Sequence, residues 1–333
     1  MLGSSQMRAM LIEKPGALRS LALGSAPLPE PGPGEVRVCV HAVGLNPIDW
    51  KLITAGHEAW HYPQIPGFDG AGTIEGLGAG VEDLKIGDRV SFFADMTGPG
   101  SFADFITLAA EAVARIPERL TFEAAAALPC AGMTAYHALH DRLRIARGQT
   151  ILVWGASGGV GGFAVQLAHI AGLRVIAAYS GHDREYVLAL GADEAIDWRN
   201  DHTERVIAAL TSGRGVDAIL NVVGSERATA DLELLAFEGA IACVAGLPDL
   251  ERLKPFTTAP SIHEIALGGL HRVAGPAGRG RLRVMGEELA KLVVNGNIGP
   301  MLAETVAFER LPDALAQLQA GAIRGKVVAH LRN

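Results

Sequence analysis

The chain has 333 residues, a formal net charge of -7 and three cysteines. This acidic balance, without a dense Lys/Arg cluster, excludes a nucleic-acid footprint, and no apolar run approaches the roughly 20 residues of a membrane span. The widely spaced cysteines supply neither a disulfide framework nor a four-cysteine metal site. The length predicts two domains, and the lack of a signal-peptide pattern predicts a cytoplasmic location. Residues 1–6 are left out of the fold prediction because Met7 offers a second start.

The first 129 residues predict a compact β-rich domain, because short alternating segments such as 35–40 are separated by Gly and Pro. One segment, 57–61, reads His-Glu-x-x-His, a pattern that would hold zinc if it lay on a helix. Gly56 and Pro63 flank it and exclude a long helix. We therefore predict a loop that either lines a substrate cleft or lies at the surface.

Residues 151–161 are the most informative stretch of the chain. Four apolar residues lead into a glycine-rich turn, and an apolar helical pattern follows as far as Gly172. This order is typical of a dinucleotide-binding fold, in which backbone amides and the helix N-terminus hold the pyrophosphate. The alternative is an ordinary tight turn. The residues of the turn are Gly155, Ala156, Ser157, Gly158, Gly159, Val160 and Gly161.

Strand patterns alternate with helical patterns beyond this turn. Such alternation predicts an α/β fold with a doubly wound parallel sheet over 130–265. From Leu282 onward a helix, a strand, a helix and a final strand over 326–331 follow. The predicted strands of the sheet are 174–179, 194–196, 218–223 and 240–245, and the predicted helices include 183–190 and 226–237.

The end of the second strand of this sheet indicates which dinucleotide is bound. An NAD enzyme would place an acid there to hold the ribose 2′-hydroxyl, but the strand ends at Tyr179 and Ser180. Ser180, His182 and Arg184 could instead donate to a 2′-phosphate, which predicts NADPH. Asp183 lies among these donors and argues the other way. The alternative is that His182 and Arg184 are a solvated helix start.

Several ordered motifs resemble those of the medium-chain dehydrogenase/reductase superfamily. The resemblance implies a GroES-like catalytic domain over 1–129, a Rossmann nucleotide-binding domain over 130–265, and a return to the catalytic domain over 266–333. The motifs are the glycine-rich turn together with residues 44–51, 66–72, 87–90, 128–136 and 325–328.

Zinc alcohol dehydrogenases of this superfamily carry a Cys in the first motif and a His in the second. Here Asn46 and Phe68 stand at those positions, and 94–100 lacks a cysteine-rich lobe. A tetrahedral site needs about three protein N or S donors, so we predict no bound metal. The chain thus resembles the zinc-independent branch of quinone oxidoreductases and alkenal reductases, similar to zeta-crystallin.

The resemblance also implies roles for single residues. Asn46 should lie at the nicotinamide or the substrate carbonyl. Lys51 should reach the cofactor or the cleft, with a surface pairing to Asp49 as the alternative. Thr134 should touch the nicotinamide amide, with helix capping as the alternative. These three are the predicted catalytic residues.

Further residues are expected around the cofactor, because ligands bind outside the carboxyl ends of the strands. Trp198 should lie beside the adenine, or else belong to the core. Lys326 should face the cofactor side of the cleft, or else form a structural salt bridge. The strand-end residues in this group are Asn221, Val223, Ala245 and Gly246.

The sequence therefore predicts an NADPH-dependent, zinc-independent oxidoreductase acting on a quinone or an α,β-unsaturated carbonyl. Without a metal, such conjugated acceptors fit, since they spread the incoming electrons onto oxygen. One alternative is an NADPH-binding sensor or structural protein without turnover, and a less favoured one is a zinc alcohol dehydrogenase. The segment 261–267 resembles the edge strand through which relatives dimerise, so a homodimer is expected.

Overall fold

The computed structural model describes residues 5–254 and 256–332. Contacts divide the chain into a first unit, Met1–Met133 with Gly268–Asn333, and a second unit, Thr134–Leu267. The strands are β1 (Gln6–Leu11), β2 (Ala22–Pro27), β3 (Glu35–Gly44), β4 (Asp69–Leu77), β5 (Arg89–Phe93), β6 (Phe105–Ala109), β7 (Ala114–Arg115), β8 (Thr150–Trp154), β9 (Arg174–Tyr179), β10 (Glu194–Asp197), β11 (Val216–Asn221), β12 (Leu235–Cys243), β13 (Ser261–Glu264), β14 (Leu302–Ala307) and β15 (Lys326–His330).

The α-helices are α1 (Pro47–Ala55), α2 (Phe122–Ala126), α3 (Thr134–Tyr136), α4 (Gly159–Ile170), α5 (Arg184–Ala189), α6 (Thr203–Leu210), α7 (Ser225–Asp231), α8 (Gly269–Arg272), α9 (Gly275–Val294) and α10 (Leu311–Gln319). Pro129–Met133 and His137–Arg142 are π-helical. Within 5–254 and 256–332, no helix combines the length and the apolar character needed to cross a membrane.

The first unit is built on a mixed sheet with the order β14-β15-β3-β4-β5-β7, with β6 also paired to β3. The central strand β3 alternates as its sequence predicts, since Val36, Val38 and Val40 are fully buried. β15 pairs with β3, so the C-terminal segment completes this sheet. The sheet thereby brings Lys326, at the start of β15, close to the start of α1.

The second unit contains a parallel sheet with the order β10-β9-β8-β11-β12-β13. The sequence prediction of a β-rich GroES-like domain and a doubly wound parallel sheet is confirmed. β8 is buried along its whole length, as a continuous apolar run predicts. The strand order reverses between β8 and β11, and ligands of such sheets bind at the carboxyl ends flanking that point.

One predicted helix is too long. Within the predicted range 226–237 the α-helix ends at Asp231, a 3₁₀ turn follows over Leu232–Leu234, and β12 begins at Leu235. Leu235 pairs with Val216 at the start of β11, so these apolar residues extend the sheet instead of the helix. The helical periodicity was misleading because buried strands and buried helices are both apolar.

The His-Glu-x-x-His segment forms a turn between α1 and Gln64, as the flanking Gly and Pro predict. Backbone Ala59 N–H donates to Nδ1 of His57 at 3.1 Å. The indole of Trp60 is buried and donates to the Met96 carbonyl at 2.8 Å. Trp60 therefore anchors this loop to the first unit.

Candidate active site

The turn between β8 and α4 has little room for side chains. Gly155 has φ +63°, a conformation that glycine adopts without strain. A Cβ on Gly161 would lie 2.2 Å from the Gly155 carbonyl oxygen and 2.8 Å from Cα of Ala156. Both are backbone atoms, so glycine at 161 is what allows α4 to start directly against the turn.

The free backbone donors of this turn lie at the start of α4. Ala156 is buried and its N–H donates to the Ala178 carbonyl, while Gly158 N–H donates to the Gly155 carbonyl. The first bond of the helix type runs from Gly162 N–H to the Gly158 carbonyl at 2.8 Å. The N–H groups of residues 159–161 precede it and, as in any helix start, have no acceptor within the helix. These residues, with Ser157, fit a pyrophosphate, whereas Ala156 shapes the turn from inside.

The end of β9 presents polar side chains on its solvent side. Ser180 is half-buried, and His182 and Arg184 are exposed. Arg184 donates through Nη1 to the Ala195 carbonyl at 2.8 Å, which fixes its guanidinium beside β10. Asp183 is buried, so it is withdrawn from the solvent-facing group.

Trp198 follows β10 directly, and its N–H donates to the Tyr179 carbonyl at 3.1 Å. The bond ties the strand ends that carry Trp198 and Ser180. The Trp198 side chain is 44% exposed, and the Arg199 guanidinium lies 5.3 Å from its ring centroid. A flat, accessible ring at this strand end suits the stacking of a base.

The ends of β11 and β12 carry the remaining predicted residues of the second unit. Asn221 is fully buried, so it shapes the loop after β11 from inside, and Val223 in that loop is 54% exposed. Ala245 is exposed, and a Cβ on Gly246 would lie 2.3 Å from Oγ of Ser225. Val223 and Ala245 are thus the accessible members of this predicted group.

The first unit buries a polar cluster at the start of α1, formed by Asn46, Asp49, Asp69 and Lys326. The Lys326 ammonium donates to the Leu45 carbonyl at 2.9 Å and to Oδ1 of Asn46, and it lies 3.4 Å from Oδ2 of Asp69. Nδ2 of Asn46 donates to the same Asp69 oxygen at 2.8 Å. Asn46 and Lys326 are 2% and 3% exposed, so both side chains are engaged inside the first unit.

Asp49 closes the cluster from within α1. Its Oδ2 accepts the Asn46 backbone N–H at 2.6 Å, whereas its Oδ1 is buried without a hydrogen-bond partner. Burial, and next the neighbouring Asp69, raises the pKa of Asp49 well above its usual value. Burial also raises the pKa of Asp69, although the Lys326 ammonium opposes the shift. One ammonium thus faces two buried carboxyl groups.

Lys51 and Thr134 lie outside this cluster. Lys51 is exposed on α1, with its ammonium 5.8 Å from the Trp50 ring centroid. The alternative pairing of Lys51 with Asp49 is wrong, because Asp49 is fully buried and bonded to Asn46. Thr134 is buried and begins α3 in the second unit.

The positions that carry zinc ligands in the resembled enzymes have other contacts here. Phe68 is fully buried, with its ring centroid 6.4 Å from that of Phe93. Cys130 N–H donates to Oδ1 of Asp69 at 2.8 Å, and burial raises the pKa of the Cys130 thiol well above its usual value. In the described ranges, no group of three or more His, Cys, Asp or Glu side chains is arranged to hold a metal ion.

Sequence reasoning missed two acidic residues that organise these sites. Asp69 belongs to the motif 66–72, whose resemblance implies no role for it, yet it joins Asn46, Lys326 and Cys130. Asp231 belongs to none of the motifs, although burial raises its pKa to about 6. The signal in the sequence is its position three residues after Ala228 and three before Leu234, which places it on an apolar helical face.

Comparisons with known proteins match two parts of the chain to known families. Residues 32–118 match the family described as alcohol dehydrogenase GroES-like domain, and residues 159–284 match the one described as zinc-binding dehydrogenase. The chain is 35% identical to a quinone oxidoreductase of Pseudomonas aeruginosa over 64% of this chain and 65% of that one. An alcohol dehydrogenase superfamily protein from Novosphingobium aromaticivorans has a similar structure, with a TM-score of 0.88 and 30% identity over 98% of this chain and 100% of that one.

Much longer proteins also match. The chain is 33% identical to polyketide synthase GfsB of Streptomyces halstedii over 96% of this chain, but it spans only 6% of that protein. Taken together, the fold, the matched families and these relatives place the chain in the medium-chain dehydrogenase/reductase superfamily of oxidoreductases, in a branch like the quinone oxidoreductases. Enzymes of this superfamily typically use a nicotinamide cofactor.

Proposed function

We propose that the protein is an NADPH-dependent, zinc-independent reductase of quinones or α,β-unsaturated carbonyl compounds. The observation that carries NADPH is the end of β9, where Ser180 and Arg184 are accessible and Asp183 is buried. A 2′-phosphate gains charge-assisted bonds from such donors, whereas a ribose 2′-hydroxyl would find no accessible acid among residues 180–184.

The proposal of a reaction without zinc is supported by the cluster in the first unit. Asn46 accepts from Lys326 through one amide atom and donates to Asp69 through the other, so its amide is satisfied by protein groups. Phe68 offers no ligand atom. Because the description of one matched family names zinc, the metal content of the purified protein is a direct test. Stoichiometric zinc retained at neutral pH would contradict this part of the proposal.

A bound nicotinamide would supply the hydride. The chain's own contribution is to hold the pyrophosphate with the amides of residues 157–161, the phosphate with Ser180 and Arg184, and the adenine with Trp198. The hydride would add to a carbon of the conjugated acceptor, the π electrons would move onto the carbonyl oxygen, and water would supply the one proton that completes the reduction. The structure of the first unit points to Asn46 and Lys326 as groups that hold the start of α1 in place.

The test is the rate of NADPH and, separately, NADH oxidation with quinones, enones, α,β-unsaturated thioesters, aldehydes and ketones, with and without a chelator. We expect chelator-insensitive reduction of the conjugated acceptors, with NADPH preferred. Tight NADPH binding without turnover on any acceptor would instead favour a sensor or structural role. Reduction of simple aldehydes and ketones that a chelator abolishes would favour a zinc alcohol dehydrogenase.

Ser180→Asp should exchange the cofactor preference. A carboxylate at the end of β9 repels a 2′-phosphate and accepts from a ribose hydroxyl, so we expect a loss of about 10- to 100-fold in NADPH affinity and a gain for NADH. Dissociation constants for both nucleotides measure it. Arg147→Gln is the charge control, because it lowers the net charge by one as Ser180→Asp does, and Arg147 is exposed ahead of β8, at the opposite end of the sheet. Equal losses in both variants would contradict the assigned phosphate site.

We also propose that the protein is a homodimer. Among the described strands, β13 is the edge strand of its sheet and pairs with β12 alone. The backbone groups on its other edge are therefore available for pairing with a second copy of the chain. The expected native mass at micromolar concentration is twice that of the chain. A monomeric mass under those conditions would contradict the proposal.

A further inference from the structure

A buried carboxylate links the two strand ends that flank the reversal of strand order in the second unit. Oδ1 of Asp231 accepts from the Trp154 indole at 3.0 Å, and Trp154 is the last residue of β8. Oδ2 of Asp231 accepts from Nδ2 of Asn221 at 2.9 Å, and Asn221 is the last residue of β11. Asp231 is fully buried at the end of α7, so it joins both strands from inside the fold.

Asn221 passes this constraint to the loop after β11. Its Oδ1 accepts from the N–H groups of Val223 at 2.9 Å and Gly224 at 3.1 Å. Since Nδ2 is bonded to Asp231, the amide cannot turn over without losing these bonds. The conformation of the loop that exposes Val223 therefore depends on Asp231.

Arg227 holds the carboxylate in its orientation. Its Nε donates to Oδ1 of Asp231 at 2.9 Å, and its guanidinium lies 4.6 Å from the Trp154 ring centroid. Glu204, on α6, lies 3.4 Å from the other side of the same guanidinium. Asp231 thus accepts three side-chain donors, which leaves it no freedom to adopt another rotamer without losing bonds.

We propose that Asp231 is a positioning residue for the dinucleotide, acting through Trp154 and Asn221 on the glycine turn and the loop at Val223. Trp154 directly precedes Gly155, so a shift of the end of β8 moves the turn itself. The inference rests on the proposed function in that it assumes a nicotinamide dinucleotide binds at these strand ends. Asp231 is fully buried, so it would act on the nucleotide only through the residues to which it is bonded.

The fold provides a matched control at the other end of the same strands. Oδ2 of Asp217, on β11, accepts the N–H of Thr150, the first residue of β8, at 2.7 Å. Asp217 is also paired with Arg214. It therefore joins β8 and β11 as Asp231 does, but at their amino ends, away from the turn. If the role of Asp231 is purely structural, its variant should lose no more nucleotide affinity than the Asp217 variant.

The experiment compares Asp231→Asn with Asp217→Asn by titrating the cofactor-free proteins with NADPH and with NADH, alongside thermal unfolding. In Asp231→Asn, the new amide NH₂ group faces another donor in either orientation. It meets Nδ2 of Asn221 in one and the donors of Trp154 and Arg227 in the other. We expect both variants to unfold at lower temperature, but only Asp231→Asn to lose about 10- to 100-fold in nucleotide affinity. For the enzyme at work, KM for NADPH should rise more than kcat falls.

A double variant restores the hydrogen bonds between positions 221 and 231 and moves the negative charge from position 231 to position 221. Asp231→Asn with Asn221→Asp lets the new amide donate to the new carboxylate, which still accepts from Val223 and Gly224. We expect it to recover most of the lost affinity. If Asp231→Asn does not fold, Asn221→Ala carries the same expectation, because it frees the loop while leaving Asp231 bonded to Trp154 and Arg227.

Unchanged nucleotide affinity in Asp231→Asn, or an equal loss in Asp217→Asn, would overturn the positioning role. Failure of the double variant to recover affinity would do so as well. Titration of both nucleotides separates the two proposals. A preference for NADH would contradict the proposed NADPH specificity, but the effect of Asp231→Asn on NADH affinity would still test the positioning role. A wild-type protein that binds neither nucleotide would overturn both.

Discussion

Gly161→Ala should weaken productive cofactor binding by about 100-fold. On helix propensity alone this change would stabilise α4 by about 1 kcal/mol, since alanine replaces glycine inside a helix. The structure predicts the opposite, because the new Cβ would lie 2.2 Å from the Gly155 carbonyl oxygen and 2.6 Å from its carbon. The three atoms nearest to the new Cβ are all backbone atoms, so the turn or the helix start must shift. A displacement of about 1 Å at a binding site costs on the order of 100-fold, which we expect in kcat/KM for NADPH.

Gly158→Ala is the matched control in the same turn. A Cβ there would meet only the Gly155 carbonyl oxygen, at 3.3 Å, and Gly158 has φ -83°, which alanine adopts freely. We expect less than about a tenfold loss in kcat/KM, because a few tenths of an ångström of adjustment suffice. Nucleotide titration and thermal unfolding of both variants measure the difference. Similar behaviour of the two would show that the close approach at Gly161 is unimportant.

Lys326→Met should cost the protein about 3 to 5 kcal/mol of folding free energy, the expected penalty for breaking a buried ion pair. The substitution leaves Asp69 buried opposite Asp49 with no cation, and it leaves Oδ1 of Asn46 without its donor. The measurement is the midpoint of thermal or denaturant unfolding. Lys291→Met is the control, because Lys291 pairs with Glu288 on the surface and its loss should leave the unfolding midpoint nearly unchanged.

Adding Asp69→Asn to Lys326→Met should return part of the lost stability, because the uncompensated charge is then gone.

The loss in Lys326→Met should also depend on pH. Burial raises the pKa of Asp49 and of Asp69 above the ordinary value of 3.8 for an aspartate. Between pH 3.8 and the raised pKa values, the folded state therefore binds more protons than the unfolded state. Its stability falls as the pH rises through this range. Without the Lys326 ammonium, the pKa values of both carboxyl groups rise further and this pH range widens. Lys326→Met should therefore lose more stability at about pH 8 than at about pH 5. A loss that is independent of pH would contradict this account.

Local patterns in the sequence predicted the second unit well. β9 spans the predicted residues 174–179, and α4 ends just before Gly172, where the helical pattern stops. Glycine-rich turns and short apolar strands are recognisable because their conformation depends on neighbouring residues. The helix prediction failed at 235–237, where Leu235 joins the sheet through a partner, Val216, that is distant in the sequence.

The sequence by itself determined the fold class and the position of the glycine-rich turn, because glycine spacing and apolar periodicity are local properties of the chain. Its ordered motifs also carried the resemblance to the superfamily to which the chain belongs. Only the tertiary structure decided which polar side chains meet. Lys326 lies 257 residues from Asp69, yet their charged groups are 3.4 Å apart inside the first unit. Asp231 reaches Trp154 across 77 residues. Such pairings follow from sheet register and from the burial of charge, which force distant donors and acceptors together, and no local pattern encodes them.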